Sequence, residues 1–164
     1  MMKLFSKFWR LSWREKRCLL LAFLVLHIVR LGLWKLSFKS LWLRIQHLSD
    51  HPYQWIQVFL PVSPPITELV KAIDSASWYT FKQARCLSRA LTLYLLMKWF
   101  GYCPVLRIGV AKSKAIATET AAVLTEQTPK IEAHAWVEHN DQIILGQIRD
   151  LGRFTPLPSI DQMK

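Results

Sequence analysis

The sequence predicts an α+β fold in which helices come first and an antiparallel sheet follows. Apolar residues recur at three-and-four spacing in several segments of residues 4–99, which is typical of helices. After Pro104 the apolar period changes to two, which indicates strands. At 164 residues the chain is long enough for one domain with its own core, or for a small domain plus a helical extension.

The first part of the chain predicts a helical extension that ends at a proline-rich linker. Residues 4–36 favour one long helix, and residues 38–49 favour a shorter amphipathic helix. Residues 51–65 contain four prolines and predict a linker. We therefore place the domain boundary there, with a basic and hydrophobic extension at residues 1–60 and a second domain at residues 61–164.

Two more helices are predicted before the sheet. The first begins near Pro65 and runs to about Ser77, with apolar residues on one face. The second has Cys86 in or next to its first turn and runs on to Trp99, because its apolar residues recur every three or four positions. Gly101 follows at the position where a left-handed cap ends a helix.

Positive charge is concentrated in the extension. Residues 1–50 hold ten Lys or Arg and two acidic residues, so this segment carries +8 of the chain's total of +11. Such a segment suits anionic lipid, an acidic partner or nucleic acid. No nucleic-acid-binding module accompanies it, so we expect no nucleic-acid partner.

The length of the apolar run in residues 1–50 also helps to predict where the protein is located. Its apolar run at residues 18–29 is shorter than the roughly 20 apolar residues that span a bilayer. Three cysteines at no disulfide or zinc spacing indicate a reducing compartment, and the histidines show no metal-ligand spacing. We expect a cytoplasmic protein without metal or cofactor. Its residues 1–50 either pack on the rest of the chain or contact a membrane surface.

The last part of the chain predicts three strands. They cover residues 105–110, 131–138 and 142–148, where apolar and polar residues alternate. Residues 139–141, His-Asn-Asp, predict a tight turn, so the last two strands form a hairpin. Side chains along the hairpin alternate between the two faces of the sheet, and the candidate catalytic residues of the hairpin lie on one of these faces.

Cys86 and His134 are the candidate nucleophile and base. Cys86 falls in the first turn of its helix, where unpaired backbone N–H groups and the helix dipole favour a thiolate. His134 lies mid-strand between two alanines, and Trp136 shares its face and would wall a cleft. The Cys86 backbone N–H would hold the oxyanion, helped by the Gln83 side chain. The alternatives are ordinary: core packing for Cys86, a hydrogen-bonded core histidine for His134 and a helix cap for Gln83.

A third group would orient the histidine. Gln147 ranks first, because it faces His134 if the hairpin turn is centred on residues 140–141. Asp150 ranks second as the nearest carboxylate beyond the strand, and Asp141 ranks third because a turn position favours solvation. Glu132 and Glu138 are predicted to be solvated strand positions.

Three segments resemble the transglutaminase-like cysteine peptidases of lasso-peptide biosynthesis, the leader-peptidase half of biosynthesis protein B. They read RCLSRAL at residues 85–91, LRIGV at 106–110 and AHAWVE at 133–138, within a match of roughly residues 66–150. The resemblance implies a papain-like Cys-His-Asp site that removes the leader from a ribosomally made precursor. It implies three partners: the precursor leader, a separate leader-recognition protein and the ATP-dependent macrolactam synthetase that receives the freed core.

The chain departs from this family at the third residue of the site. Members usually carry an aspartate on the strand after the histidine, whereas this chain reads Leu145-Gly146-Gln147. Either Gln147 substitutes for the aspartate, or Asp150 reaches in, or activity is impaired. The sequence therefore predicts a thiol peptidase that acts on a leader peptide. The alternative is a non-catalytic scaffold or membrane-surface adaptor that binds a peptide or partner protein.

Overall fold

The structure, a computed structural model, describes residues 11–50, 54–78, 86–112 and 131–157. Helices precede a sheet in these residues, which confirms the predicted α+β class. The helices are α1 (Trp13–Lys35), α2 (Phe38–Asp50), α3 (Gln54–Phe59), α4 (Ile66–Trp78) and α5 (Cys86–Trp99). The strands are β1 (Val105–Lys112), β2 (Ile131–His139), β3 (Gln142–Leu145) and β4 (Thr155–Pro156), with a 3-10 turn at Leu151–Arg153. The sheet is antiparallel, with strand order β3-β2-β1-β4.

Local signals set the ends of two helices. The Ser12 hydroxyl accepts from the Glu15 backbone N–H, and the Glu15 carboxylate accepts from the Ser12 backbone N–H. This capping box begins α1 at Trp13, so the predicted helix is not continuous through Ser12, and its predicted start at residue 4 lies outside the described residues. The same backbone hydrogen bond holds the pKa of Glu15 below its usual value. At the other helix Gly101, with a φ of 82°, ends α5 as predicted.

The predicted linker is partly helical. Of residues 51–65, residues 54–59 form α3, which ends just before the buried Leu60. The Leu60 backbone N–H donates to the Ile56 carbonyl at 2.7 Å and closes the helix. Ile56 and Leu60 are both 2 % exposed. Because this segment buries apolar side chains, it is part of the packed structure rather than a free tether.

A single buried cluster joins the helices to the inner face of the sheet. It contains Leu26 of α1, Ile73 of α4, Leu96 of α5 and Val137 of β2, each fully buried. Burying one such side chain contributes about 1.5–3 kcal/mol. The core therefore runs continuously across the boundary predicted at residue 60. α5 lies at its centre, because its side chains from Ala90 to Met97 are all buried.

Candidate active site

Strand β2 presents two chemically different faces. Ala135 and Val137 are buried in the main core on the face that packs against α5. His134 and Trp136 lie on the opposite face, since side chains alternate along a strand. There Trp136 joins a second, smaller cluster with Phe154. His134 therefore lies beside aromatic side chains on the outer face of the sheet.

The imidazole of His134 is held in one orientation. Its Nε2 lies 2.7 Å from the Gly146 carbonyl oxygen. A carbonyl only accepts, so Nε2 carries a proton and donates it, which leaves Nδ1 of the neutral ring as an acceptor. The Trp136 ring is nearly parallel to the imidazole, with centroids 6.3 Å apart and an interplanar angle of 18°. The Phe154 ring lies 5.6 Å away. An oriented imidazole whose Nδ1 makes no hydrogen bond to the described residues has the form of a general base.

Two glycines make room for this arrangement. Gly109 pairs with His134 across β1 and β2, and a Cβ there would lie 2.9 Å from both Trp136 and Phe154. Gly146 has a φ of 90°, and a Cβ there would lie 2.7 Å from the Ala135 carbonyl oxygen. Larger residues at either position would push the aromatic rings or the Gly146 carbonyl away from the imidazole.

The hairpin forms at the predicted turn, but its register does not continue as predicted. The turn residues 140 and 141 have φ values of 50° and 59°, as a type I′ turn requires. A β-bulge then shifts the pairing by one, so that Val137 faces Leu145, where the strand ends. In the described residues no ladder pairing joins His134 to Gln147, and the predicted pairing is wrong for this reason. The Gln147 side chain is exposed.

Asp150 is linked to the histidine through two other side chains. Its carboxylate forms an ion pair with Arg153 Nε at 2.8 Å. The Arg153 guanidinium also pairs with Glu132, and it lies 4.7 Å from the centre of the Phe154 ring. Asp150 is therefore connected to His134 only indirectly, through Arg153 and then Phe154, whose ring centroid lies 5.6 Å from that of the imidazole.

Cys86 is the first residue of α5, as predicted, and carries a free, half-buried thiol. Its side chain packs against the main core. Arg89, one turn later, forms an ion pair with Asp74. Within the described residues no hydrogen bond joins the Cys86 thiol to His134, and α5 packs on the opposite face of β2. Catalytic hydrogen bonds are often long in unliganded enzymes. The contact between the Cys86 thiol and the His134 imidazole therefore stays a prediction. Gln83, which was predicted to help hold the oxyanion, lies outside the described residues.

Glu138 is a site residue that sequence reasoning missed. Its carboxylate accepts from the Trp136 indole Nε1 at 2.7 Å and from Arg107 Nε at 3.1 Å. Glu132 is likewise paired, with Arg153. The prediction of a solvated strand position is therefore wrong for Glu138, whereas the Glu132 side chain, 38 % exposed, is still partly solvated. The sequence signal that could have identified Glu138 is the alternation of side chains along a strand, which places Trp136 and Glu138 on the same face.

Replacing Glu138 with alanine is expected to lower the free energy of unfolding by about 1–3 kcal/mol, because the indole N–H of the buried Trp136 loses its acceptor. The matched variant Glu138→Gln keeps an acceptor, so we expect a loss of about 1 kcal/mol or less. Urea unfolding followed by tryptophan fluorescence measures both. Equal losses for the two variants would mean that the indole–carboxylate hydrogen bond does not stabilise the fold.

Comparison with known proteins places this geometry in a family. Residues 23–159 match the transglutaminase-like superfamily. No curated protein and no solved structure matches the chain. The matched range includes Cys86, His134, Gln147 and Asp150, together with most of α1. In the described residues no group of three His, Cys, Asp or Glu side chains is placed to hold a metal ion.

Proposed function

Because the chain belongs to the transglutaminase-like superfamily, we propose that it is a cysteine peptidase in which Cys86 is the nucleophile and His134 the base. The superfamily includes cysteine peptidases. The observation that carries the proposal is the oriented imidazole: its Nε2 donates to the Gly146 carbonyl, and its Nδ1 is left to accept a proton. The position of Cys86 at the start of α5 supplies the second element, since a helix N-terminus favours a thiolate.

The proposed reaction passes through a thioester. His134 takes the thiol proton, and Cys86 Sγ attacks the carbonyl carbon of the scissile peptide bond. Backbone N–H groups at the start of α5 have no intrahelical partner and hold the oxyanion, with help from the Gln83 side chain. His134 then gives its proton to the leaving amine as the C–N bond breaks. Water hydrolyses the thioester by the reverse sequence, which releases the carboxylate product and restores the thiol.

In this proposal the Gly146 carbonyl orients His134, and either Gln147 or Asp150 completes the site. The carbonyl carries only a partial negative charge, so it stabilises an imidazolium less than a carboxylate does. Trp136 forms one wall of the cleft, since it lies almost parallel to the imidazole.

An extended peptide fits the edge of the sheet beside His134. β3 ends opposite Val137 and Gly146 lies against Ala135 and Trp136, so within the described residues no segment pairs with residues 131–134 of β2 on that side. Uncovered strand edges bind peptides by adding them as a further strand. A substrate placed there would pass the imidazole. We therefore propose an extended peptide segment as the substrate.

The specific substrate we propose is the leader of a ribosomally made lasso-peptide precursor. Its support is the resemblance of the segments at residues 85–91 and 133–138 to leader peptidases of that pathway. The protein would then act with a separate leader-recognition protein, and the freed core peptide would pass to an ATP-dependent macrolactam synthetase.

A non-catalytic scaffold or membrane-surface adaptor is the second candidate function. The observation that favours it is that His134 already has a backbone partner at Gly146, while in the described residues its ring makes no hydrogen bond to Cys86. In that function His134 would have a structural role only. An adaptor would keep its biological effect when Cys86 is replaced.

Alkylation of the thiols as a function of pH tests the catalytic pair without a substrate. We expect iodoacetamide to modify Cys86 at neutral pH, and we expect His134→Ala to move its reactivity to alkaline pH, because the base is lost. Mass spectrometry reads each cysteine separately. The exposed Cys103 should react equally in both proteins. Cys18 should remain unreactive, because burial raises the pKa of its thiol to about 12.

Comparing the reactivity of Cys86 with that of Cys103 distinguishes the peptidase from the adaptor. If Cys86 reacts like Cys103 and ignores the His134→Ala substitution, the catalytic pair is absent from the isolated chain. Repeating the titration with the leader-recognition protein then tests whether that partner assembles the pair. An unchanged result would favour the adaptor.

A further inference from the structure

The outward face of α1 is apolar along most of the helix. Leu20, Leu24, Ile28 and Leu31 recur every three or four residues and are between 50 % and 65 % exposed. By length and composition α1, with a mean hydropathy of 1.9, also qualifies as a helix able to cross a bilayer, a property that core helices share. We call these four residues the apolar stripe. An exposed apolar patch of this kind marks an interaction surface.

A tryptophan and a lysine lie at each end of the apolar stripe. Lys16 Nζ is 5.5 Å from the Trp13 ring centre, and Lys35 Nζ is 4.4 Å from that of Trp34. The two tryptophans are 78 % and 75 % exposed. At 1.5 Å per residue, they are about 32 Å apart along the helix. Tryptophan and lysine side chains at the edges of an apolar surface suit the level of lipid headgroups.

The opposite face of α1 excludes a spanning orientation. It supplies six buried side chains to the main core: Cys18, Leu21, Ala22, Val25, Leu26 and Val29. Moving α1 across a bilayer would remove these side chains from α4 and α5. The helix therefore meets lipid only along its outer face, in the plane of the surface.

An apolar groove opens beside the stripe. It has a volume of about 390 Å³ and lies between α1, α2 and α5, with Ile28, Leu41 and Trp99 in its lining. Arg44 is the one charged residue among its lining residues. A groove with apolar walls and a single cation suits the acyl chain of an anionic lipid.

We propose that the apolar stripe docks the protein on an anionic lipid surface. Charge complementarity selects this occupant, because residues 1–50 carry a net charge of +8. The apolar stripe enters the boundary between headgroups and acyl chains, and Lys35, Lys39 and Arg44 contact anionic headgroups. This interaction does not depend on whether Cys86 is a nucleophile.

Sedimentation of the full chain with lipid vesicles tests the proposal. We expect binding to phosphatidylcholine vesicles that contain phosphatidylglycerol, and weaker binding to pure phosphatidylcholine or at high salt. The variant Leu24→Glu with Ile28→Glu should reduce the affinity about tenfold or more, since two charges replace two inserted side chains. The control is Ile131→Glu, which alters another exposed apolar residue, on β2. It should bind as the unsubstituted chain does.

A second variant keeps the apolar stripe intact. Lys35→Gln with Lys39→Gln should remove part of the preference for anionic vesicles while far-ultraviolet circular dichroism stays unchanged. Equal binding of all variants, or no binding by the unsubstituted chain, would overturn the proposal. Sedimentation equilibrium identifies the competing occupant: a dimer that Leu24→Glu with Ile28→Glu dissociates would assign the stripe to a second copy of the chain.

Discussion

Replacing Cys86 with alanine is expected to abolish cleavage of a leader-containing precursor peptide, lowering kcat by about 10⁴-fold or more. Alanine has no nucleophile, so the thioester cannot form, and only binding and oxyanion contacts remain. Mass spectrometry of the cleaved leader, with the recognition partner present, measures the effect. Cys103→Ala is the matched control because Cys103 is exposed and lies after α5. It should leave the rate unchanged.

The double variant Cys86→Ala with His134→Ala sharpens this test. Residues that act as one catalytic unit show strongly non-additive losses. We therefore expect the double variant to be no slower than Cys86→Ala alone. A further loss of rate, or cleavage that survives Cys86→Ala, would contradict the peptidase mechanism.

Replacing Gly146 with alanine is expected to lower the free energy of unfolding by about 2–5 kcal/mol. A φ of 90° strains any L-residue with a side chain. The new Cβ would also lie 2.7 Å from the Ala135 carbonyl oxygen and 2.9 Å from the Trp136 Cα, both backbone atoms that cannot turn aside. The strand end must move, and with it the carbonyl that holds His134.

Gly101→Ala separates strain from collision. Gly101 has a similar φ of 82°, but a Cβ there meets no atom within 4 Å. Gly101→Ala should lower the free energy of unfolding by about 1–2 kcal/mol, from backbone strain alone. Thermal and urea unfolding of both variants give the comparison. If Gly146→Ala costs no more than Gly101→Ala, the close approach of Gly146 to β2 is not present in solution. In the peptidase assay, only Gly146→Ala should slow cleavage, because it alone displaces the His134 acceptor.

Much of the fold follows from local sequence signals. The polar turn at residues 140–141 and the alternation around His134 predict the hairpin. Gly101 predicts the end of α5, and Cys86 its start. These signals depend on hydrogen bonds and side-chain periods within a few residues, so they can be read without knowing the rest of the fold. The capping box at Ser12, which begins α1 at Trp13, is also a local signal. The sequence prediction did not use it because the apolar period suggested one continuous helix.

The site depends on contacts between distant residues. A β-bulge next to Val137 moves the register, so the predicted partner Gln147 is not paired with His134 and the Gly146 carbonyl contacts the imidazole instead. Phe154 reaches the same ring from the end of the chain. A bulge inserts one residue according to packing on both faces of a sheet, and no local pattern specifies it.

The sequence by itself determined the order and type of the elements other than α3 and β4, the helix-start position of Cys86 and the strand position of His134. Only the tertiary structure decided which face of β2 His134 occupies relative to α5, and which side of α1 is left apolar and exposed. The physical reason is that periodicity reports whether a segment has an apolar face. The partner that covers that face is chosen by the packing of the whole chain.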